Sequence, residues 1–143
     1  MTVLRMSRPD EAGRLFDVWL RAVTATHTFL AAEDLDYFSD QVRAYVPTAT
    51  FWVADEGGTP VAFMALEGAN VDALFVDPDR HGLGIGRALI EKAREIAGPL
   101  TVDVNEQNVG AGDFYRRMGF EQVGRFELDD YGKPYPTLRL AQR

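Results

Sequence analysis

Gly82, Gly84 and Gly86 alternate between an apolar run, Leu74-Phe75-Val76, and an amphipathic stretch that opens with Arg87-Ala88-Leu89. The pattern predicts a buried strand, a tight turn and the start of a helix. A helix N-terminus offers unpaired backbone N–H groups and the positive end of the helix dipole, a combination that binds phosphate. Glycines at that point let the main chain approach a pyrophosphate with no Cβ in the way. Alternating glycines also weaken a helix start unless something uses the space. The segment is therefore a candidate grip on a phosphate-bearing cofactor.

Three glycine-rich loops compete for it. A Walker loop needs a Gly-Lys pair followed by a hydroxyl residue, and the chain has none. The dinucleotide fingerprint needs G-x-G-x-x-G, but its last position falls on Arg87 when counted from Gly82 and on Leu89 when counted from Gly84. Asp103, in an expected strand, stands where that fold places its ribose-binding acid, so a dinucleotide binder stays open as a minor reading. The third pattern, Gln/Arg-x-x-Gly-x-Gly/Ala, is the acyl-CoA loop of the GNAT superfamily of N-acetyltransferases. His81-Gly82-Leu83-Gly84-Ile85-Gly86 resembles it at every position but the first.

A second segment bears on the choice. In the stretch from Val104 to Phe120, Asn108, Ala111, Tyr115, Gly119 and Phe120 fall at the offsets of the GNAT signature that follows the fifth strand. The resemblance runs the length of the chain. Ala25-Thr26-His27-Thr28-Phe29-Leu30, Val104 to Asn108, and Asp129 to Pro136 resemble the small bacterial YjaB-type acetyltransferases. It implies an α/β fold: a mixed, mostly antiparallel sheet of about six or seven strands flanked by about four helices, in one domain spanning 1–143. It implies acetyl-CoA as co-substrate, with coenzyme A as product and no metal. The implied acceptor is a primary amine, on a small molecule or a protein lysine.

Transfer of acetyl from a thioester to an amine makes four demands: a held pyrophosphate, a stabilised oxyanion, a deprotonated amine and a protected leaving thiolate. By resemblance, His81 and the backbone from Gly82 through Leu83, Gly84, Ile85 and Gly86 to Arg87 hold the phosphates. The end of the preceding strand, Phe75, Val76 and Asp77, pairs with the pantetheine arm and polarises the thioester carbonyl. A fixed backbone donor of that kind lowers a barrier by roughly 3–4 kcal/mol. Tyr115 is the implied acid for the thiolate, since a phenol stays a neutral donor at pH 7. Asn108 is either a contact to the cofactor arm or simply a helix N-cap. His81 replaces the family's Gln or Arg, which weakens one side-chain contact to phosphate; Arg80 and Arg87 are candidate substitutes. A lysine-type ammonium has a pKa near 10.4 and needs a base. Glu67, Asp72, Asp103, Glu106, His27 and a water chain all remain candidates.

Composition narrows the classes. The chain has 143 residues and no cysteine, which excludes disulfides, thiolate metal sites and an acetyl-cysteine intermediate. A net charge of −7 argues against nucleic acid or an anionic membrane as main partner. No apolar run of membrane-spanning length and no signal peptide are present, so a cytoplasmic location is expected. Oligomeric state is left open. A non-catalytic acyl-CoA-binding module or sensor is the alternative to an enzyme.

Further elements follow from periodicity. Val3 to Met6 reads as a strand, with Ser7 as N-cap of a first helix and Asp10 and Glu11 favouring its dipole. Ala12, Leu15, Phe16, Trp19, Leu20 and Val23 keep helical spacing. A second helix is expected from about Glu33 to Tyr45, stopped by Pro47. Strands are expected at 51–55, 61–66 and 71–76. A helix should run to about Ala97 with Leu89, Ala93, Ile96 and Ala97 inward. A strand at 100–104, a helix at 109–118 and two closing strands, 120–128 and 136–140, complete the order β-αα-β-β-β-α-β-α-β-β.

Overall fold

The computed structural model describes residues 2–143. Strand β1 (Thr2–Met6) precedes helices α1 (Ala12–Thr26) and α2 (Ala32–Tyr45); strands β2 (Trp52–Glu56), β3 (Thr59–Glu67) and β4 (Asn70–Val76) follow. Helix α3 (Ile85–Ala97), strand β5 (Thr101–Asn105), helix α4 (Val109–Arg117) and strands β6 (Glu121–Phe126) and β7 (Thr137–Ala141) complete the chain. The seven strands hydrogen-bond in the order β1-β2-β3-β4-β5-β7-β6. Antiparallel pairing prevails, and the β4–β5 ladder, at Asn70↔Thr101 and Val71↔Val102, is parallel. The fold class and element order expected from the sequence both hold. The chain divides into two compact units, Met1–Ala65 with Ala73–Leu89, and Leu66–Asp72 with Ile90–Arg143.

In the first unit, α1 buries Leu15, Val18, Trp19 and Val23 against Phe51, Val53, Phe63 and Ala65 of the sheet. Aromatic edges lock this layer: Phe51 and Phe63 meet edge-on at 5.2 Å, and Phe63 and Phe75 lie 5.6 Å apart. Helix α2 buries no residue completely; Leu35, Phe38 and Val42 pack onto the cluster as a partial cover. Sequence expectation fails at Ser7. Its hydroxyl accepts the Phe51 N–H at 2.9 Å and its own N–H donates to the Phe51 carbonyl at 2.7 Å, so Ser7 ties the chain to β2. Arg8 takes the cap position of the short 3-10 turn Pro9–Glu11. Glu11 is no solvated dipole partner. It is buried, takes a two-pronged bond from Arg5 at 2.9 and 2.7 Å, and accepts the Arg8 N–H. Those bonds outweigh the burial cost and pull its carboxyl down to about 2.

In the second unit, β5 and β7 bury Val102, Val104, Leu138 and Leu140. Gln142 is the buried polar tie: its amide oxygen accepts the Leu100 N–H at 3.1 Å, and its amide nitrogen donates to the Met118 carbonyl at 2.8 Å. The inward face of α3 differs from expectation at one position. Ile96 is exposed and Ile90 is fully buried, because the stripe follows Leu89, Ile90 and Ala93. Strand β6 is an edge, and the β6–β7 register slips between Gln122 and Gly124.

Candidate functional site

Strands β3 and β4 are joined by the two-residue turn Gly68-Ala69, so they run antiparallel. The Asp77 N–H donates to the Val61 carbonyl at 2.8 Å, toward β3. Successive residues of a strand alternate the edge to which their N–H and C=O point, so those of Val76 face the opposite edge. Of the three strand-end residues expected to offer a donor, Asp77 therefore has its amide engaged, and Val76 presents its own outward. Phe75 turns its ring into the core.

The Asp77 side chain organises the turn beyond β4. It is almost wholly buried and accepts the Asp79 N–H at 3.0 Å, capping the short turn Pro78–Arg80. Arg14 and Arg21, both from α1, each donate to its Oδ2 at 3.0 Å, and Arg21 also reaches Asp79 at 2.7 Å. Burial pushes the Asp77 carboxyl upward, but the Asp79 amide and the two guanidinium groups prevail and hold it below the usual range. Sequence reasoning missed Arg14 and Arg21. Their spacing of seven residues, which puts both on one face of α1, was the available signal.

Arg80 is committed elsewhere, donating to both Glu56 oxygens at 2.9–3.1 Å. His81 Nε2 lies 3.0 Å from the Val76 carbonyl. A carbonyl only accepts, so this nitrogen carries a proton. His81 thus ties the loop to the outward edge of β4. Gly82 and Gly84 have φ of +77° and +81°, a region costly for any residue with a Cβ. The chain then enters α3, where the Ala88 N–H bonds the Gly84 carbonyl at 3.0 Å. Donors of the first turn, including those of Ile85 and Gly86, have no earlier carbonyl of the helix to bond. Leu83 is exposed. The local build fits a pyrophosphate: a left-handed glycine turn feeding a helix start.

In the second unit, Asn108 caps α4. Its side-chain oxygen accepts the Ala111 N–H at 3.2 Å, which fills the N-cap role, one of the two the sequence left open. Tyr115 is buried between Phe114 and Phe120, edge-on at 5.0 and 5.2 Å. Burial pushes its hydroxyl far above the usual range, so it stays protonated as a donor.

The base candidates separate. Asp103 is bound by Arg139 at 2.9 and 3.0 Å, and Glu106 by Arg125 at 3.0 Å to each oxygen. Arg125 holds the Glu106 carboxyl below its usual range, which makes it a poor proton acceptor. Asp72 accepts from the Asn70 side-chain amide. Glu67 ends β3 in solvent. His27, at the end of α1, contacts Thr26 Oγ1 through Nδ1 at 2.8 Å, and burial pushes its imidazole below the usual range. Among the described residues no group of three or more His, Cys, Asp or Glu is placed to hold a metal ion. No helix among them is long and apolar enough to cross a membrane.

Residues 47–122 match the family model described as "Acetyltransferase (GNAT) domain". The chain is 50% identical over 139 residues to the peptidyl-lysine N-acetyltransferase YjaB of Escherichia coli K12, covering 96% of this chain and 95% of that one. It is 47% identical to the Salmonella typhimurium protein of the same name, over 98% and 97% of the two chains. The solution structure of apo-form YjaB from Escherichia coli superposes with a TM-score of 0.94 at 49% identity, covering 99% of this chain and 97% of that one. The PaiA N-acetyltransferase of Thermoplasma acidophilum, solved with coenzyme A, shares the fold at a TM-score of 0.82 and 15% identity, over 100% and 99% of the chains. With Asp103 bound to Arg139 and near-full-length identity to N-acetyltransferases of this family, the dinucleotide reading falls away: this chain belongs to the GNAT family and is an acetyl-CoA-dependent N-acetyltransferase.

Proposed function

We propose that the protein moves the acetyl group of acetyl-CoA to the ε-amino group of a lysine in a protein or peptide, by direct attack. The near-full-length identity to two peptidyl-lysine N-acetyltransferases carries this reading. The absence of cysteine supports direct attack over a thiol-bound intermediate. In this reading the helix start after Gly84, with Gly82, Leu83, Ile85, Gly86 and Arg87, holds the pyrophosphate. The outward Val76 amide polarises the thioester carbonyl, while Phe75 and Asp77 fix the strand end that presents it. His81 holds the loop at that edge, Asn108 sets the start of α4, and Tyr115 supplies the proton that the leaving thiolate takes up. The amine nitrogen bonds to the carbonyl carbon, the carbon–sulfur bond breaks, and coenzyme A leaves as the thiol.

Incubating the protein with acetyl-CoA and lysine-containing peptides, then following free thiol and peptide mass together, tests the assignment. Thiol release matched by acetylated lysine is expected. Tight coenzyme A binding with no acetyl transfer to any amine would return the acyl-CoA sensor reading. Transfer to free small amines but never to peptides would move the acceptor class.

A further inference from the structure

Helix α1 ends with the His27 main-chain N–H bonded to the Val23 carbonyl at 2.8 Å, which sets His27 at the start of the α1–α2 connection. Phe29 packs its ring 5.3 Å from it, and Leu30 packs on the same apolar cluster as Phe75. The tautomer of His27 follows from its neighbour. Thr26 Oγ1 donates to the Ala22 carbonyl at 2.8 Å, and a hydroxyl has one hydrogen. In its 2.8 Å contact with His27 Nδ1 the hydroxyl must therefore accept, so Nδ1 carries the ring proton. Neutral His27 then has its lone pair on Nε2, the arrangement a base requires.

We propose that His27 is the general base of the reaction, its Nε2 taking a proton from the acceptor ammonium, with Thr26 as the positioning residue that fixes the tautomer. The assignment rests on the acetyltransferase reading. Burial favours the neutral ring, while Asp103 and Glu106 are each occupied by an arginine. Over one turnover the ammonium gives up two protons as the carbon–nitrogen bond forms. One leaves through His27 to solvent, and the thiol product accounts for the other. An ammonium of pKa near 10.4 presents almost no free amine at pH 7, so a positioned base contributes about 10²–10⁴-fold.

The test compares His27→Gln, Thr26→Val and Thr26→Ser with the wild type, using a lysine peptide acceptor, titration calorimetry with coenzyme A, and added imidazole. For His27→Gln, kcat/KM for the peptide should fall at least about 100-fold with coenzyme A affinity unchanged, and imidazole should restore part of the loss. Thr26→Val should lose roughly tenfold, and Thr26→Ser should match the wild type. His27→Gln at wild-type activity overturns the inference. So does a loss that imidazole leaves untouched and that coenzyme A affinity shares, since that marks a structural histidine. Failure of the wild-type protein to acetylate any amine would instead overturn the acetyltransferase reading itself.

Discussion

In the proposed reaction, the end of β4 offers main-chain atoms, whereas the end of α1 offers one imidazole. The first region is built from glycine φ angles, an outward Val76 amide and a helix start, all braced from behind by Asp77, Arg14 and Arg21. The second is braced by Thr26 and a ring contact with Phe29. A thioester cofactor is the same in every turnover and suits a backbone mould. An amine acceptor has to be deprotonated, which no backbone group does at neutral pH. In the proposed mechanism, main chain serves recognition and side chains serve proton transfer.

That division can be broken most sharply at Tyr115. Tyr115→Phe keeps the ring packed between Phe114 and Phe120 and removes the hydroxyl, so kcat should fall by about 100-fold or more with little change in coenzyme A affinity. Unchanged kcat in steady-state assays would remove side-chain acid chemistry from the account. Gly84→Val should do the reverse. A β-branched residue at a φ of +81° costs on the order of 1–2 kcal/mol, so the coenzyme A dissociation constant should rise about tenfold while kcat at saturation holds. A matching fall in kcat would mean that the glycine loop also tunes the chemistry.

The pH profile sharpens the other side. Burial lowers the His27 pKa, so the ring resists protonation until the pH is below its usual 6.5. Activity that needs the neutral ring should stay flat down to that point, then fall about tenfold per unit on the acid side. Because the folded pKa is the lower one, the same group contributes stability above 6.5 that is lost as pH falls through the folded value. An acid limb that persists unchanged in His27→Gln would assign it to another group. The smallest effect is expected at Asn108→Ala. Loss of the cap bond to Ala111 should cost about 1 kcal/mol, a few degrees in Tm, with kcat nearly intact. A large kcat loss without a Tm change would restore Asn108 as a cofactor contact.

The backbone-built region was the legible one. Gly82, Gly84 and Gly86 announce a turn and a helix start because their conformational needs are local, and the α1 stripe from Leu15 to Val23 shows its buried face through spacing alone. Ser7 and the pairs of Asp103 and Glu106 were illegible for the opposite reason. Each is settled by a partner distant in sequence: Phe51 for Ser7, Arg139 for Asp103 and Arg125 for Glu106. For His27, one of five side-chain candidates, the direction of one hydroxyl bond, Thr26 to Ala22, sets the ring tautomer. A string of residue types holds no hydrogen positions, and proton chemistry turns on them.

The slipped register of β6 has its own consequence. Val123 sits at the slip with 62% of its surface exposed, while Phe126 lies under the Arg139 guanidinium at 5.1 Å. A straight apolar border would invite another chain to continue the sheet. Here Glu121, Arg125 and Glu127 alternate charge along that border, and the bulge breaks its spacing. The β6 edge is thereby a poor seed for fibres.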